Sequence, residues 1–214
     1  MENYKQKFIR LSLEIGALKF GEFQLKSGRI SPYFFNMGLF SSGPLIKNIG
    51  DFYAAALVSS NINYDIVFGP AYKGIPIVTA LASSLSTSYQ LDKPFVYNRK
   101  EIKNHGEGGV TVGEKLRGNV VIVDDVITAG TAIREAVGII NNSGATTTGI
   151  VISLDRQEKG TGNLSAAKEI SNALNIPVIS IVNLDEVIDY IENNPSDYGQ
   201  HIDTIKKYRE EYGV

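Results

Sequence analysis

The sequence predicts an α/β fold with a mostly parallel central sheet flanked by helices, and three observations carry that reading. Short apolar runs rich in β-branched residues recur along the chain, amphipathic helical segments separate them, and several runs stop abruptly in Gly or Asp before the next helix. A strand with no polar alternation is covered on both faces, and strands alternating with helices build a parallel sheet.

The elements follow in order. Phe8, Leu11 and Ile15 sit at helical spacing in the segment from Tyr4, which stops at Gly16. The stretch LKFGEFQLKSGRISPYFFN mixes Phe20, Phe23 and Leu25 with polar residues around the turn signal Ser27-Gly28, which predicts a small antiparallel unit. A helical pattern covers Pro44 to Ser60. Alternation then sets in: strand 64–69, helix from about Ile75, strands 94–98 and 119–124, helix from about Thr131, strand 147–155, helix from about Leu164 and strand 177–184. Two short amphipathic helices are expected in the tail, from Val187, Ile188 and Ile191 and then Ile202 and Ile205.

One segment interrupts the alternation. RKEIKNHGEGGVTVGEKLRG, residues 99–118, carries five glycines and five Lys or Arg with no sustained apolar period, and a long loop of this kind in a compact domain is a lid or binding loop more often than filler.

Bulk properties narrow the function classes. The 214 residues are 43% hydrophobic and 21% charged, ordinary for a chain that buries one core, so a single domain over 1–214 is expected. A formal net charge of −2 supplies no global basic field for nucleic acid. The absence of cysteine excludes disulfides, thiolate catalysis and cysteine zinc sites, and is compatible with a reducing cytosol. The N-terminal stretch is polar throughout, unlike a signal peptide, and no apolar run approaches the roughly 20 residues of a membrane span.

The chemistry concentrates in VVIVDDVITAGTA, residues 120–132. In open α/β sheets the ligand site lies beyond the carboxyl ends of the strands. With a helix opening near Thr131, the amides of Ala129 to Ala132 and the hydroxyls of Thr128 and Thr131 form an anion cradle suited to a phosphomonoester. Asp124 and Asp125 would repel a phosphate but accept hydrogen bonds from a neutral sugar diol. Alone, the acids would equally well end the strand and cap the helix. The whole order, apolar strand, two acids and T-x-G-T opening an amphipathic helix, points to a ribose 5-phosphate.

This stretch resembles the signature of the type I phosphoribosyltransferases. LKSGRISPYFFN, FGPAYKGIP, NRKEIKNHGEGG and SLDRQE are similar, in order and along almost the whole chain, to segments of the bacterial branch of that family that uses orotate. The resemblance implies a type I phosphoribosyltransferase fold with hood elements near 1–40 and a flexible lid near 99–118. It also implies transfer of the phosphoribosyl group from 5-phosphoribosyl 1-diphosphate to orotate, with Mg²⁺ bound mainly through the substrate and no dedicated metal site. By the same resemblance the diphosphate sugar meets Lys26, Tyr72, Lys73, Arg99, Lys100, Lys103, His105, Asp124, Asp125 and the loop Val126, Ile127, Thr128, Ala129, Gly130, Thr131 and Ala132. Orotate meets Lys26, Phe34, Phe35, Thr128 and Arg156. Lys103, His105, Asp124 and Asp125 are the implied catalytic residues; His105 either gives a proton to the leaving group or hydrogen-bonds it. A cytoplasmic homodimer whose lids reach the partner's site follows from the same source, whereas His201 matches nothing and is expected at the surface.

Chemistry agrees with several of these positions. A leaving diphosphate needs cations and amides, and FGPAYKGIP is a second strand-to-helix loop with Lys73 beside the helix start. A cationic sugar centre must be shielded from water, which gives a glycine-rich lid its purpose. The rivals are a purine phosphoribosyltransferase, a non-catalytic regulator of the same fold, a phosphoacceptor signalling domain and a nucleotide-binding module. The Lys103-x-His105 lid and the hood segment disfavour the first two, and the late position of the acid pair disfavours the third.

Overall fold

The structure is a computed structural model that describes residues 3–25, 28–103, 109–160 and 162–214, with 102 and 103 described by backbone alone. Helix α1 (Tyr4–Glu14) opens on a capping box: the Asn3 side chain accepts the Gln6 N–H, and the Gln6 side chain accepts the Asn3 N–H. It ends before Gly16, whose φ of +69° suits glycine. Strands β1 (Leu18–Gln24) and β2 (Ile30–Phe35) pair antiparallel, Leu18 opposite Phe35, as the hood reading requires.

Helix α2 (Gly43–Ser59), β3 (Ile66–Gly69), α3 (Gly74–Tyr89), β4 (Phe95–Lys103), β5 (Gly109–Gly113), β6 (Asn119–Asp124), α4 (Thr131–Asn142), β7 (Thr146–Asp155), α5 (Ala166–Leu174) and β8 (Val178–Asn183) follow. The chain closes with α6 (Leu184–Asn193), α7 (Pro195–Tyr198) and α8 (Ile202–Tyr212). Among the described residues, six strands form one sheet in the order β5-β4-β3-β6-β7-β8, parallel except for β5.

Period-two alternation divides the sheet's side chains between two cores. Val67, Val121, Val123 and Val151 join the larger one with the hood, α2, α3 and α6, while Ile66, Phe68, Val120, Ile122, Ile150 and Ile152 join the smaller one with α4 and α5. This double burial is why the strands read as continuous apolar runs.

Two expectations change. Residues 99–118 are not one structureless loop: β4 runs on to Lys103 and β5 returns along it, so the segment's arms are an antiparallel ladder at the sheet edge. The cause is β-branched Val110-Thr111-Val112, a short strand signal masked by the surrounding glycines. His201 is half-buried, with its ring centroid 5.3 Å from that of Phe20, because the tail folds back over the hood. There Tyr208 meets Tyr33 edge-on at 6.2 Å, and Ile205 is buried in the larger core. No described helix is long and apolar enough to cross a membrane.

Candidate active site

The strand order places β3 beside β6 although the chain visits β4 and β5 between them, and a crevice opens at such a reversal, outside the carboxyl ends of the strands. The two loops that leave these strands, 69–74 and 124–131, are the two singled out as ligand loops. A salt bridge joins them: the Lys73 ammonium donates to Asp125 Oδ2.

The acids are held by backbone bonds that leave their carboxylates at the crevice. Tyr53 Oη–H donates to the Asp124 carbonyl at 2.7 Å, and Ser153 donates to the Asp125 carbonyl through N–H at 2.9 Å and Oγ–H at 2.5 Å. The Asp125 N–H donates to Asp124 Oδ1 at 2.9 Å. Asp124 and Asp125 are only 9% and 6% exposed. Burial, and then the neighbouring Asp125 charge, push the Asp124 carboxyl up from 3.8 to about 6. Burial likewise pushes the Tyr53 phenol well up, keeping it a donor.

Beyond the acids the loop is stapled to both cores. Val126 packs against the larger core and Ile127 is buried in the smaller one, so these two side chains are structural and offer a ligand only their backbone. Thr128, Ala129 and Thr131 are exposed, and no side chain caps α4 among the described residues, which leaves its first-turn N–H groups to an anion. Gly130 makes the turn at φ +71°, and a Cβ there would lie 2.4 Å from Ile170 Cδ1. Gly130→Ala is therefore expected to cost about 1–2 kcal/mol for the left-handed conformation alone. Denaturant unfolding checks this: the variant should be less stable, and unchanged stability would count against the strained turn.

The 69–74 loop is built on close backbone approach. A Cβ on Gly69 would lie 2.2 Å from the Gly74 carbonyl oxygen, so the turn closes only with glycine there. Asn98 Oδ1 accepts the Ala71 N–H at 2.8 Å from a 7% exposed position in β4. The Tyr72 ring is 72% exposed beside Lys73. Arg99 is half-buried and donates to the Gly109 carbonyl at 3.4 Å, while Lys100 pairs with Glu135 of α4 at 3.8 Å. Lys26, the Lys103 side chain and His105 lie outside the described residues.

The paired phenylalanines diverge. Phe34 is 41% exposed and stacks on Phe23 at 5.5 Å, whereas Phe35 turns inward to Phe8 at 6.0 Å. Alternation puts Phe35 on the face of Ser31 and Tyr33, which is also the face that Arg156 meets. Arg156 lies just past the end of β7, with its guanidinium 4.4 Å from the Tyr33 ring centroid. Its Nε and Nη2 donate to Glu158 Oε1 at 2.9 and 2.6 Å, and Nη2 donates to Ser31 Oγ at 3.1 Å. The two-toothed edge of the guanidinium is thus occupied within the protein, and among the described residues Nη1 is the nitrogen left to face a ligand.

Asn98, Ser153 and Glu158 lie within the quoted segments NRKEIKNHGEGG and SLDRQE but were not singled out there, and Tyr53 lies in none of them.

The comparisons with known proteins agree with this geometry. The phosphoribosyl transferase domain family matches residues 40–186, well over half the chain, and the chain belongs to that family. Orotate phosphoribosyltransferases of Mannheimia succiniciproducens and Shigella flexneri are 52% and 54% identical to it over 214 residues, all of this chain and all of each relative. The crystal structure of orotate phosphoribosyltransferase from Francisella tularensis superposes with a TM-score of 0.88 at 44% identity, covering 97% of this chain and 100% of that one. Within the family, the chain is of the orotate phosphoribosyltransferase kind.

Proposed function

We propose that transfer of the phosphoribosyl group from 5-phosphoribosyl 1-diphosphate to orotate, releasing diphosphate and orotidine 5′-phosphate, takes place in the crevice between β3 and β6. The observation that carries this is the Lys73–Asp125 bridge, which brings the cationic loop and the acidic loop together. The 5′-phosphate sits on the amides of Thr128 to Ala132 at the start of α4. Asp124 and Asp125 accept hydrogen bonds from the ribose hydroxyls, and Lys73, with Tyr72 at its side, faces the diphosphate. Lys26, Arg99, Lys100, Lys103 and His105 complete the cationic surround in this reading.

The bond from C1′ to diphosphate breaks as a ring nitrogen of orotate bonds to C1′, so positive charge grows on the sugar while negative charge grows on the leaving group. Asp124 and Asp125 offer hard oxygen ligands of the kind Mg²⁺ takes, but two carboxylates are too few for an octahedral cage. Diphosphate and ribose oxygens would supply the rest when the substrate is bound. When bound, the ion neutralises charge on the leaving diphosphate. Arg156 reads the orotate carboxylate and, with Phe34, Phe35 and Thr128, fits the flat ring. The place of action is the cytosol, in keeping with a cysteine-free chain.

The test is loss of orotate ultraviolet absorbance that requires both 5-phosphoribosyl 1-diphosphate and Mg²⁺. Loss of absorbance without the sugar diphosphate, or none with it, would overturn the reading.

The working unit in this proposal is a homodimer in which each lid serves the partner's site. Lys103→Ala and Arg156→Ala proteins, each strongly impaired alone when assayed at low orotate, are then expected to regain activity when their subunits exchange, because every heterodimer assembles one intact site. About a quarter of the parent's sites should be restored by random pairing in a two-fold dimer. No recovery despite exchange verified by mass spectrometry would place both residues in one subunit's site.

A further inference from the structure

We infer that Glu158 is the positioning residue that sets the direction of Arg156, and that it does so from a latch made by the hood and the C-terminal residues. The inference rests on the reading that Arg156 meets the orotate carboxylate.

Four observations converge. Both Arg156 and Glu158 are largely buried, and Glu158 Oε1 takes Nε and Nη2 of the same guanidinium, which fixes its plane as well as its position. Tyr33 Oη–H donates to the same Oε1 at 2.8 Å while its ring lies under the guanidinium at 4.4 Å, so one hood residue holds both partners. The backbone that carries Glu158 is tied to the end of the chain: Glu158 bridges antiparallel to Gly213, the Lys159 N–H donates to the Tyr212 carbonyl at 2.8 Å and the Val214 N–H donates to the Gln157 carbonyl at 3.0 Å. From the hood, Arg29 stacks over the Tyr212 ring at 4.9 Å and donates to the Lys159 carbonyl at 3.2 Å.

A guanidinium on a flexible stem loses much rotamer freedom when it binds a ligand, and a neighbour that has already ordered it removes that cost. Glu158 occupies Nε and one hydrogen of Nη2, Ser31 takes the other Nη2 hydrogen, and among the described residues Nη1 is the nitrogen left to a ligand. The tail thereby acts on the chemistry without touching substrate.

Steady-state kinetics of Glu158→Gln test this. The KM for orotate should rise about tenfold, as for a charged hydrogen bond lost to a neutral one, with the KM for 5-phosphoribosyl 1-diphosphate changed by less than about twofold. The double variant Glu158→Gln with Arg156→Ala should be no worse toward orotate than Arg156→Ala alone, since a residue that acts through another adds nothing once that one is gone. Tyr33→Phe, which removes one donor and keeps the ring, should show the same selective rise in smaller degree and serves if Glu158→Gln does not fold. Multiplying effects in the double variant, or an unchanged orotate KM in Glu158→Gln while Arg156→Ala is impaired, would overturn the positioning role. A parallel rise in both KM values would do the same, because it marks a general structural role. If Arg156→Ala itself uses orotate normally, the reading of Arg156 is what fails.

Discussion

Asp124→Asn is expected to make the substrate-free protein more stable at pH 8 and a poorer enzyme at the same pH. The Asp124 carboxyl is raised from 3.8 to about 6, burial being the largest cause and the Asp125 charge the next. A carboxylate whose folded pKa is raised favours the folded state while protonated. Its contribution is fully present below about pH 4 and is lost as pH rises through about 6. An asparagine is neutral throughout and its Oδ1 still accepts the Asp125 N–H. The difference in stability between variant and parent should therefore be near zero at pH 4 and level off above pH 6. A shift of about two units corresponds to on the order of 3 kcal/mol, or roughly 5–10 °C in Tm for a chain of this size. Thermal unfolding across that pH range is the check, and a difference independent of pH would remove the raised pKa from the account.

The cost falls on turnover. Asparagine presents an amide N–H₂ where a ribose hydroxyl needs an acceptor, and one charged hydrogen bond lost takes about 1.5–3 kcal/mol from transition-state binding, a loss of roughly 10- to 150-fold in kcat/KM. Asp125→Asn should lose activity by a similar factor, and it also unpairs Lys73. Full activity of both variants at low substrate would sink the ribose-binding role. The expected pair of results for Asp124, stability gained and activity lost, is the sign of a group kept for function at the expense of the fold.

Arg156→Ala is expected to raise the KM for orotate about 10- to 100-fold while leaving the affinity for 5-phosphoribosyl 1-diphosphate little changed. Orotate differs from uracil by one carboxylate, so a fixed cation in a partly dry pocket both favours the one and disfavours the other, at about 1.5–3 kcal/mol for charged bonds. The structure adds a second consequence. Glu158 loses the closer of its two cationic partners, keeping only Arg29 at 4.0 Å and the Tyr33 hydroxyl, and the weakened pairing of a largely buried carboxylate should lower stability by about 2–3 kcal/mol. Arg156→Lys should recover some stability but little orotate affinity, since a point charge does not reproduce the directed guanidinium. Kinetics with orotate and denaturant unfolding read the two effects separately. Normal use of orotate by Arg156→Ala, or a main defect in binding the sugar diphosphate, would refute its role.

What the sequence by itself determined is what depends on residues close together in the chain. The apolar runs Val120–Val123 and Ile150–Ile152 read as strands covered on both faces, and the acids, small residues and threonines that follow Val123 read together as a candidate ligand loop. Gly130 was legible within that turn of small residues, whereas the Ile170 side chain that a Cβ there would strike comes from α5. Tertiary structure decided what depends on pairs distant in sequence. Which strands adjoin was open until β3 settled beside β6, and that adjacency brings Lys73 to Asp125. The strand within residues 109–113 was hidden because glycines mask its short β-branched signal, and pairing with β4 is what brings it out. The burial that raises Asp124, and the fold-back of α8 that ties Glu158 and Arg156 to the hood, arise between residues more than a hundred positions apart or from both faces of the sheet at once. Periodicity reports which face of an element is covered but carries no term for what covers it.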